Sequence, residues 1–310
     1  MTDDGRREKH DESRIMPPMS KAVHVTLPFR FGTVGTPLSA PKNGGSVGGI
    51  QRIREMTLNA LEFAWVQSIR ISDEACAKLR ETALAADVAL SVHASYYINL
   101  NALTEEMWLA GRERLLTACR AGYKAGATDI IFHPGSYMKM EPPVAWKIAR
   151  DRLAEVADTI RREKLAVTLR PETMGKSAML GSLEECIEWS REIEDVLPCV
   201  DFAHLHARPG DGSFNTYAEF AGALKLIAAG LGERGLKRMH IHFSGIEYTS
   251  KGEKRHLNLD VADVKYKELF QALADFGAGG RVMCETPNME EGAIVMRNSY
   301  QRAAAKAKVK

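Results

Sequence analysis

Eight short runs of apolar and β-branched residues recur along the chain, and the segments between them have the periodicity of amphipathic helices. Residues 104–126 and 145–164 are two examples of these helical segments. A strand followed by a helix, eight times in 310 residues, predicts a single (β/α)8 TIM barrel of the α/β class. The eight runs are HVTLPFRFGTVG, LEFAWV, VALSVH, DIIFH, LAVTLRPE, CVDFAH, RMHIHFSG and RVMCETP.

An open, doubly wound sheet is the alternative architecture for such alternation, and it usually has a G-x-G-x-x-G turn after its first strand. The GGSVGG segment at residues 44–49 lacks this spacing, so the barrel is favoured. We interpret the segment between the first two runs as a loop. The predicted organisation is one barrel domain over residues 23–298, with a disordered extension at 1–22 and a basic tail at 299–310.

Composition indicates a soluble globular protein. The chain is 45% hydrophobic and 26% charged, and no apolar run approaches the roughly 18 residues that a membrane helix needs. Its formal net charge is +2, so affinity for a nucleic acid would need a local basic patch. Its five cysteines form no C-x-x-C pair, which argues against a disulfide scaffold or a thiolate zinc site and favours a cytoplasmic location.

Metal-ligating side chains stand where the predicted strands end. In barrel enzymes, the carboxyl ends of the strands form the rim that holds the active site. The rim of this barrel is therefore predicted to gather imidazoles and carboxylates around one cavity. The residues are His93, His133, Glu172, Asp201, His204, His242 and Glu285.

Several of these residues also have a purely structural interpretation. His133 fits a hydrogen-bonded core histidine equally well. Glu172 would be costly to bury unpaired, and Arg170 is its alternative partner. Glu285 has a lysine or arginine ion pair as its alternative.

The remaining alternatives concern imidazole orientation. Asp201 and His204 have D-x-x-H spacing, which also fits a carboxylate that only orients a histidine. His240 and His242 are two residues apart, so they share one face of their strand. We expect His242 at the rim and His240 a layer below it.

Imidazole and carboxylate ligands without thiolates suit zinc, manganese or iron. More ligands than one ion needs, around one cavity, imply more than one ion. A site with several metals indicates phosphoryl-ester hydrolysis, whereas an isomerase needs about four of these groups around one metal.

At these residues the chain resembles the endonuclease IV family, zinc-dependent (β/α)8 barrels that act as apurinic/apyrimidinic endonucleases. The resemblance extends from about residue 29 to 290. The motifs that carry it are VHASYYINL, FHPGSY, PETMGK, VDFAH, HFSG, RHLNL and CETPN.

The resemblance implies two or three zinc ions, with manganese as the alternative metal, and Glu172 and Glu285 as catalytic residues. It implies a substrate of double-stranded DNA cleaved 5′ to an abasic site in base excision repair, by a monomer that binds no membrane. Tyr96 matches the aromatic residue that the family inserts at the damaged nucleotide, although it could equally cap the barrel mouth. The implied ligands are His93, His133 and Glu172 for the first ion, Glu172, Asp201, His242 and Glu285 for the second, and His204 and His256 for the third.

Two departures from the family pattern affect this interpretation. Lys254 stands where the family usually has an aspartate, and a charged lysine cannot bind zinc. The third ion therefore lacks a ligand unless the neighbouring Glu253 supplies it. Phe243 and Ser244 replace the Asn-Asp pair of the family.

Two other functions remain open. A xylose isomerase-like sugar isomerase or epimerase would use Glu172, Asp201, His242 and Glu285 around one metal. His93 and His133 favour the nuclease, because the isomerase has no stated use for them as ligands. A non-catalytic binder of damaged DNA would be free to lose the glutamates.

Overall fold

The computed structural model describes residues 27–307. The predicted extension at 1–22 lies outside the described residues. Strand positions confirm all eight predicted runs and add a hairpin after the seventh. In chain order the strands are β1 (Phe29–Val34), β2 (Ala60–Ala64), β3 (Ala89–His93), β4 (Ala127–Phe132), β5 (Thr168–Pro171), β6 (Cys199–Asp201), β7 (Met239–Phe243), β8 (Gly245–Thr249), β9 (Gly252–Leu257) and β10 (Gly280–Cys284).

Helices follow the barrel strands and cover the outside of the sheet. Several begin with a side chain that accepts a hydrogen bond from the first helical turn, as Thr104 does, and the helix after Thr104 ends at Gly126 in a left-handed conformation. The helices are α1 (Gly45–Glu55), α2 (Asp73–Ala86), α3 (Glu105–Ala125), α4 (Pro142–Arg162), α5 (Leu183–Glu192), α6 (Phe202–Ala207), α7 (Tyr217–Lys237), α8 (Tyr266–Asp275) and α9 (Glu290–Ala307).

Parallel pairing closes the sheet into a barrel. The strand order is β5-β4-β3-β2-β1-β10-β7-β6, and each of these pairs is parallel. The two outer strands meet through parallel bridges between Leu169 and Val196 and between Glu172 and Cys199. The eight strands of the described sheet therefore form the TIM barrel that the sequence predicts.

One detail differs from the sequence-based expectations. The segment between the first two strands contains α1, which begins within GGSVGG, so the interpretation of this segment as a loop is wrong. A helix forms there because Ile50 and Ile53 are buried on one of its faces. Helix α9 continues beyond residue 298 and ends at Ala307, so it includes the first part of the basic segment.

The barrel interior contains buried charged side chains. Asp129 pairs with Arg170 at 2.7 Å and with Arg281 at 3.0 Å near the amino ends of the strands. Arg170 therefore partners Asp129, and the alternative that it partners Glu172 is wrong. All five cysteines are buried and free. No helix within residues 27–307 is long and apolar enough to cross a bilayer.

Candidate metal centre

Strand pairing brings the predicted rim residues together. Because the strands are parallel, their carboxyl ends lie at one end of the barrel. Asp201 at the end of β6, for example, pairs with His242 on β7. The other rim positions are His93 at the end of β3, His133 after β4, Glu172 after β5 and Glu285 after β10.

The first cluster consists of His93, His133 and Glu172, whose facing donor atoms lie within 4.8 Å of one another. Glu172 Oε2 is 3.2 Å from His93 Nε2 and 3.5 Å from His133 Nε2. His93 Nδ1 donates a hydrogen bond to the Ala94 carbonyl oxygen at 2.9 Å. The neutral His93 ring therefore presents the lone pair of Nε2 to the cluster.

The second cluster consists of Glu172, Asp201, His242 and Glu285, again with donor atoms within 4.8 Å. His242 Nδ1 lies 3.5 Å from Glu172 Oε1 and 3.5 Å from Glu285 Oε1. Glu172 belongs to both clusters, because its Oε2 faces the first and its Oε1 faces the second. One carboxylate can thus serve two cation positions.

The third cluster consists of Asp201, His204 and His256. His204 Nδ1 donates a hydrogen bond to the Thr173 carbonyl oxygen at 2.9 Å. His204 Nε2 is buried without a hydrogen-bond partner in the described chain. When the ring is neutral, the lone pair of this atom is directed into the cavity and is available to a cation.

The hairpin formed by β8 and β9 adds a carboxylate to the third cluster. Glu253 Oε2 lies 3.5 Å from His204 Nε2. The neighbouring Lys254 contacts Glu247 Oε1 at 2.6 Å on the other face of the hairpin. The hairpin approaches closely because residue 175 is glycine: a Cβ there would lie 2.7 Å from the Glu253 Cβ.

The distances within these clusters match those between ligands of a shared cation. Two ligand atoms about 2.1 Å from one zinc ion at a tetrahedral angle lie about 3.4 Å apart. Within the first two clusters, the imidazole nitrogens of His93, His133 and His242 lie 3.2 to 3.5 Å from oxygens of Glu172. The side chains present therefore fit a group of divalent cations.

Unpaired polar atoms and crowded carboxylates support the same conclusion. Asp201 Oδ2, His242 Nδ1 and Glu285 Oε2 are buried without hydrogen-bond partners in the described chain. Burial, followed by the charges of Glu285 and Glu172, raises the pKa of Asp201 to about 7 despite the opposing charge of His204. A divalent cation would offset this repulsion and displace the proton.

Charge on Glu172 is stabilised by the surrounding imidazoles. Burial favours its neutral form, but the charges of His242 and His133 and close contacts with His133 and His204 hold the pKa of Glu172 well below its usual value. Burial lowers the pKa of His133. For His204, the charge of Asp201 and the contact with Glu172 outweigh burial and raise its pKa. In the metal-free protein, protonated histidines therefore provide part of the positive charge that a bound cation would supply.

Tyr96 lies at the mouth of the first cluster. Its ring stacks on His133 with centroids 5.2 Å apart and meets the edge of His93 at 5.5 Å. The side chain is 57% exposed, so one face of the ring remains accessible beside the cluster. This position is compatible with both interpretations of Tyr96, as a contact for a nucleotide and as a cap on the barrel.

Sequence reasoning did not identify Glu62, a fully buried carboxylate in the middle of β2. It contacts His240 Nε2 and His242 Nε2, both at 2.9 Å. The single acid within the apolar run LEFAWV was the available signal. The expected depth of His240 is confirmed, since it lies below His242 and contacts none of the rim carboxylates in the described chain.

Glu285 does not form the ion pair with a lysine or arginine that a purely structural role would require. Its ion-pair contacts in the described chain are His242 at 3.5 Å and His256 at 4.0 Å. The alternative of a lysine or arginine partner is therefore wrong. Asp201 accepts a hydrogen bond from the His204 backbone at 2.8 Å through Oδ1, which leaves Oδ2 for the cavity.

Sequence comparison relates the chain to one family and to two kinds of relative. The family described as xylose isomerase-like TIM barrel matches residues 50–307. The uncharacterized protein MJ0133 of Methanocaldococcus jannaschii is 35% identical over 270 residues, which cover 87% of this chain and 96% of that protein. A probable endonuclease 4 of a Geobacillus species is 28% identical over 184 residues, which cover 57% of this chain and 59% of the relative.

Solved structures show the same fold. Endonuclease IV from Thermus thermophilus superposes with a TM-score of 0.69 at 17% identity, covering 89% of this chain and all of that one. A D-tagatose 3-epimerase-like protein superposes with a TM-score of 0.68 at 17% identity, covering 90% and 98% of the two chains. At these identities the structural likeness supports the barrel and does not discriminate between the two activities.

Proposed function

Because the chain belongs to the xylose isomerase-like TIM barrel family, we propose that it is a metal-dependent phosphodiesterase that cleaves DNA 5′ to abasic sites. The observation that carries the proposal is the first cluster. His93 and His133 converge on one oxygen of Glu172, while the other oxygen faces the complete second cluster. Two adjoining cation positions favour phosphodiester hydrolysis over chemistry that needs one metal.

Zinc, or manganese in its place, is the proposed metal, and each cluster would hold one ion. Bound divalent cations supply the Lewis acidity that phosphodiester hydrolysis requires. The similarity to a relative named as a probable endonuclease 4 supports nucleic-acid hydrolysis as the reaction. The third position would be completed by Glu253, because its carboxylate faces His204 whereas Lys254 faces away.

The residues of the chain then have distinct roles. Glu172 and Glu285 provide the negative charge that holds cations against the cavity, and the imidazoles fix its shape. Tyr96 offers an exposed aromatic face beside His133, on which a base or an unpaired nucleotide could stack. The proposed partner is therefore double-stranded DNA with an unstacked position, bound by a monomer.

Incision of an end-labelled duplex tests the proposal. The duplex carries one abasic-site analogue and is incubated with the zinc- or manganese-loaded protein, with an undamaged duplex as the control. We expect wild type to cut immediately 5′ to the lesion. We expect no cut by Glu172→Gln, whose circular dichroism spectrum should match that of wild type and so show that the variant is folded. Absence of incision by folded, metal-loaded wild type would overturn the proposal.

A sugar isomerase or epimerase is the second candidate. The second cluster favours it, because Glu172, Asp201, His242 and Glu285 suffice for one cation with two glutamates beside it. Such an enzyme would exchange the proton next to a ketose carbonyl. Incorporation of deuterium from heavy water into ketohexoses, without incision of DNA, would favour this candidate.

A further inference from the structure

A carboxylate beneath the second cluster makes contacts that the proposed function leaves unexplained. Glu62 on β2 is fully buried inside the barrel. Its Oε2 accepts hydrogen bonds from Ser91 Oγ at 2.7 Å and from His240 Nε2 at 2.9 Å. Its Oε1 lies 2.9 Å from His242 Nε2. Ser91 on β3 and His240 on β7 therefore hold Oε2 by hydrogen bonds, whereas Oε1 and His242 Nε2 are in contact without a hydrogen bond.

The two nitrogens of His242 face different environments. Nδ1 is directed to the second cluster, 3.5 Å from oxygens of Glu172 and Glu285. Nε2 faces Glu62, whose carboxylate only accepts hydrogen bonds when ionised. The two atoms are not aligned for a hydrogen bond, but an ionised carboxylate at 2.9 Å favours a proton on Nε2 over a lone pair there, so the favoured neutral tautomer of His242 has its lone pair on Nδ1.

We propose that Glu62 is a positioning residue for the metal centre. It fixes the orientation and tautomer of His242, and it places a negative charge beneath the cation that His242 would bind. A carboxylate beside the second nitrogen of a metal-bound histidine commonly fixes the ring orientation and raises the basicity of the nitrogen that binds the metal. The inference rests on the proposed function in taking His242 as a metal ligand.

Zinc affinity, measured by competition with a chromogenic chelator, tests the proposal without any activity assay. Glu62→Gln keeps the shape of the side chain and removes its charge. We expect this variant to bind zinc in the second cluster about 10–100-fold more weakly than wild type. Unchanged affinity would overturn the proposal.

Asp129→Asn is the matched control. Asp129 is another buried carboxylate inside the barrel, but its ion-pair partners in the described chain are Arg170 and Arg281. Because Asp129 makes no ion pair with a residue of the three clusters in the described chain, zinc affinity should change less than about threefold. A loss equal to that of Glu62→Gln would show a general effect of interior charge and would overturn the specific role of Glu62.

A double-mutant cycle shows whether Glu62 acts through His242. In a His242→Ala background, Glu62→Gln should change the remaining zinc affinity less than about threefold, because the coupled group is gone. An undiminished effect in that background would overturn the proposal. If Glu62→Gln does not fold, Ser91→Ala removes one donor to Glu62, and we expect a severalfold loss of zinc affinity; no loss would overturn the proposal.

The same measurements separate this inference from the proposed function. Weaker zinc binding by Glu62→Gln, with no incision of DNA by wild type, would support Glu62 and refute the endonuclease. Incision by wild type, with equal zinc affinity in Glu62→Gln, would refute Glu62 alone. A wild type that binds no zinc would refute both.

Discussion

Glu172→Gln should eliminate one cation position and weaken another. Glu172 gives one oxygen to the first cluster and one to the second, so its loss affects both. After the substitution the first cluster keeps only two imidazoles, which are too few to compete for zinc. The second cluster keeps three ligands: Asp201, His242 and Glu285.

The expected size of the effect follows from the ligand count. Removing a residue that merely supports a metal ligand costs about 10–100-fold in affinity, so loss of a ligand should cost at least about 100-fold. A 100-fold loss corresponds to about 2.7 kcal/mol. We expect wild type to bind at least two zinc ions tightly, and Glu172→Gln to bind one ion at least about 100-fold more weakly.

Isothermal titration with zinc measures this effect, with Glu285→Gln as the matched variant. Glu285 belongs to the second cluster and not to the first, so this variant should retain one tight ion in the first cluster. Two tight ions in Glu172→Gln would refute the shared role of Glu172. Equal losses in both variants would refute the division into two clusters.

Four further predictions concern separate parts of the chain. Glu253→Gln should lower zinc occupancy of the third cluster, measured by elemental analysis, whereas Lys254→Asp should leave it unchanged because Lys254 faces away. Tyr96→Ala should weaken binding of abasic DNA by about 1–3 kcal/mol, measured by fluorescence anisotropy, with Tyr96→Phe close to wild type; equal losses would contradict stacking. Asp129→Asn leaves two buried guanidiniums without their carboxylate and should lower the free energy of urea unfolding by about 3–5 kcal/mol. Because the pKa of Asp201 is raised, the metal-free folded state keeps a proton that the unfolded state releases between pH 3.8 and about 7. The free energy of urea unfolding should therefore fall as pH rises through this window. Asp201→Asn should remove this part of the pH dependence.

The helical periodicity between the apolar runs and the spacing of those runs were sufficient to predict the barrel. Strands that are buried on both faces have continuous apolar runs, and each run here is followed by a segment long enough for a crossover helix. Seven of the candidate ligands could be placed at one rim because each stands at or just after the end of such a run, whereas His256 was given only by the family resemblance. His242 was correctly distinguished from His240 by its position two residues nearer the carboxyl end of β7.

Other features depend on contacts between segments distant in sequence. Glu62 is adjacent to His240 and His242 only because the barrel closes, and its separation of 178 residues from His240 carries no local signal. The hairpin of β8 and β9 was missed because its strands are partly exposed and rich in charge. Side chains alternate between the two faces of that hairpin, so Glu253 faces the third cluster and Lys254 faces away. This assignment could not be made from the sequence because the position of the turn was not known.

The number of metal ions bound by wild type tests the account most directly. Native mass spectrometry of zinc-loaded, desalted protein counts the ions on each intact chain. The account predicts at least two zinc ions per chain, because the first and second clusters each provide a position. A single ion, retained in a His93→Ala and His133→Ala double variant, would contradict the account and favour the single-metal isomerase.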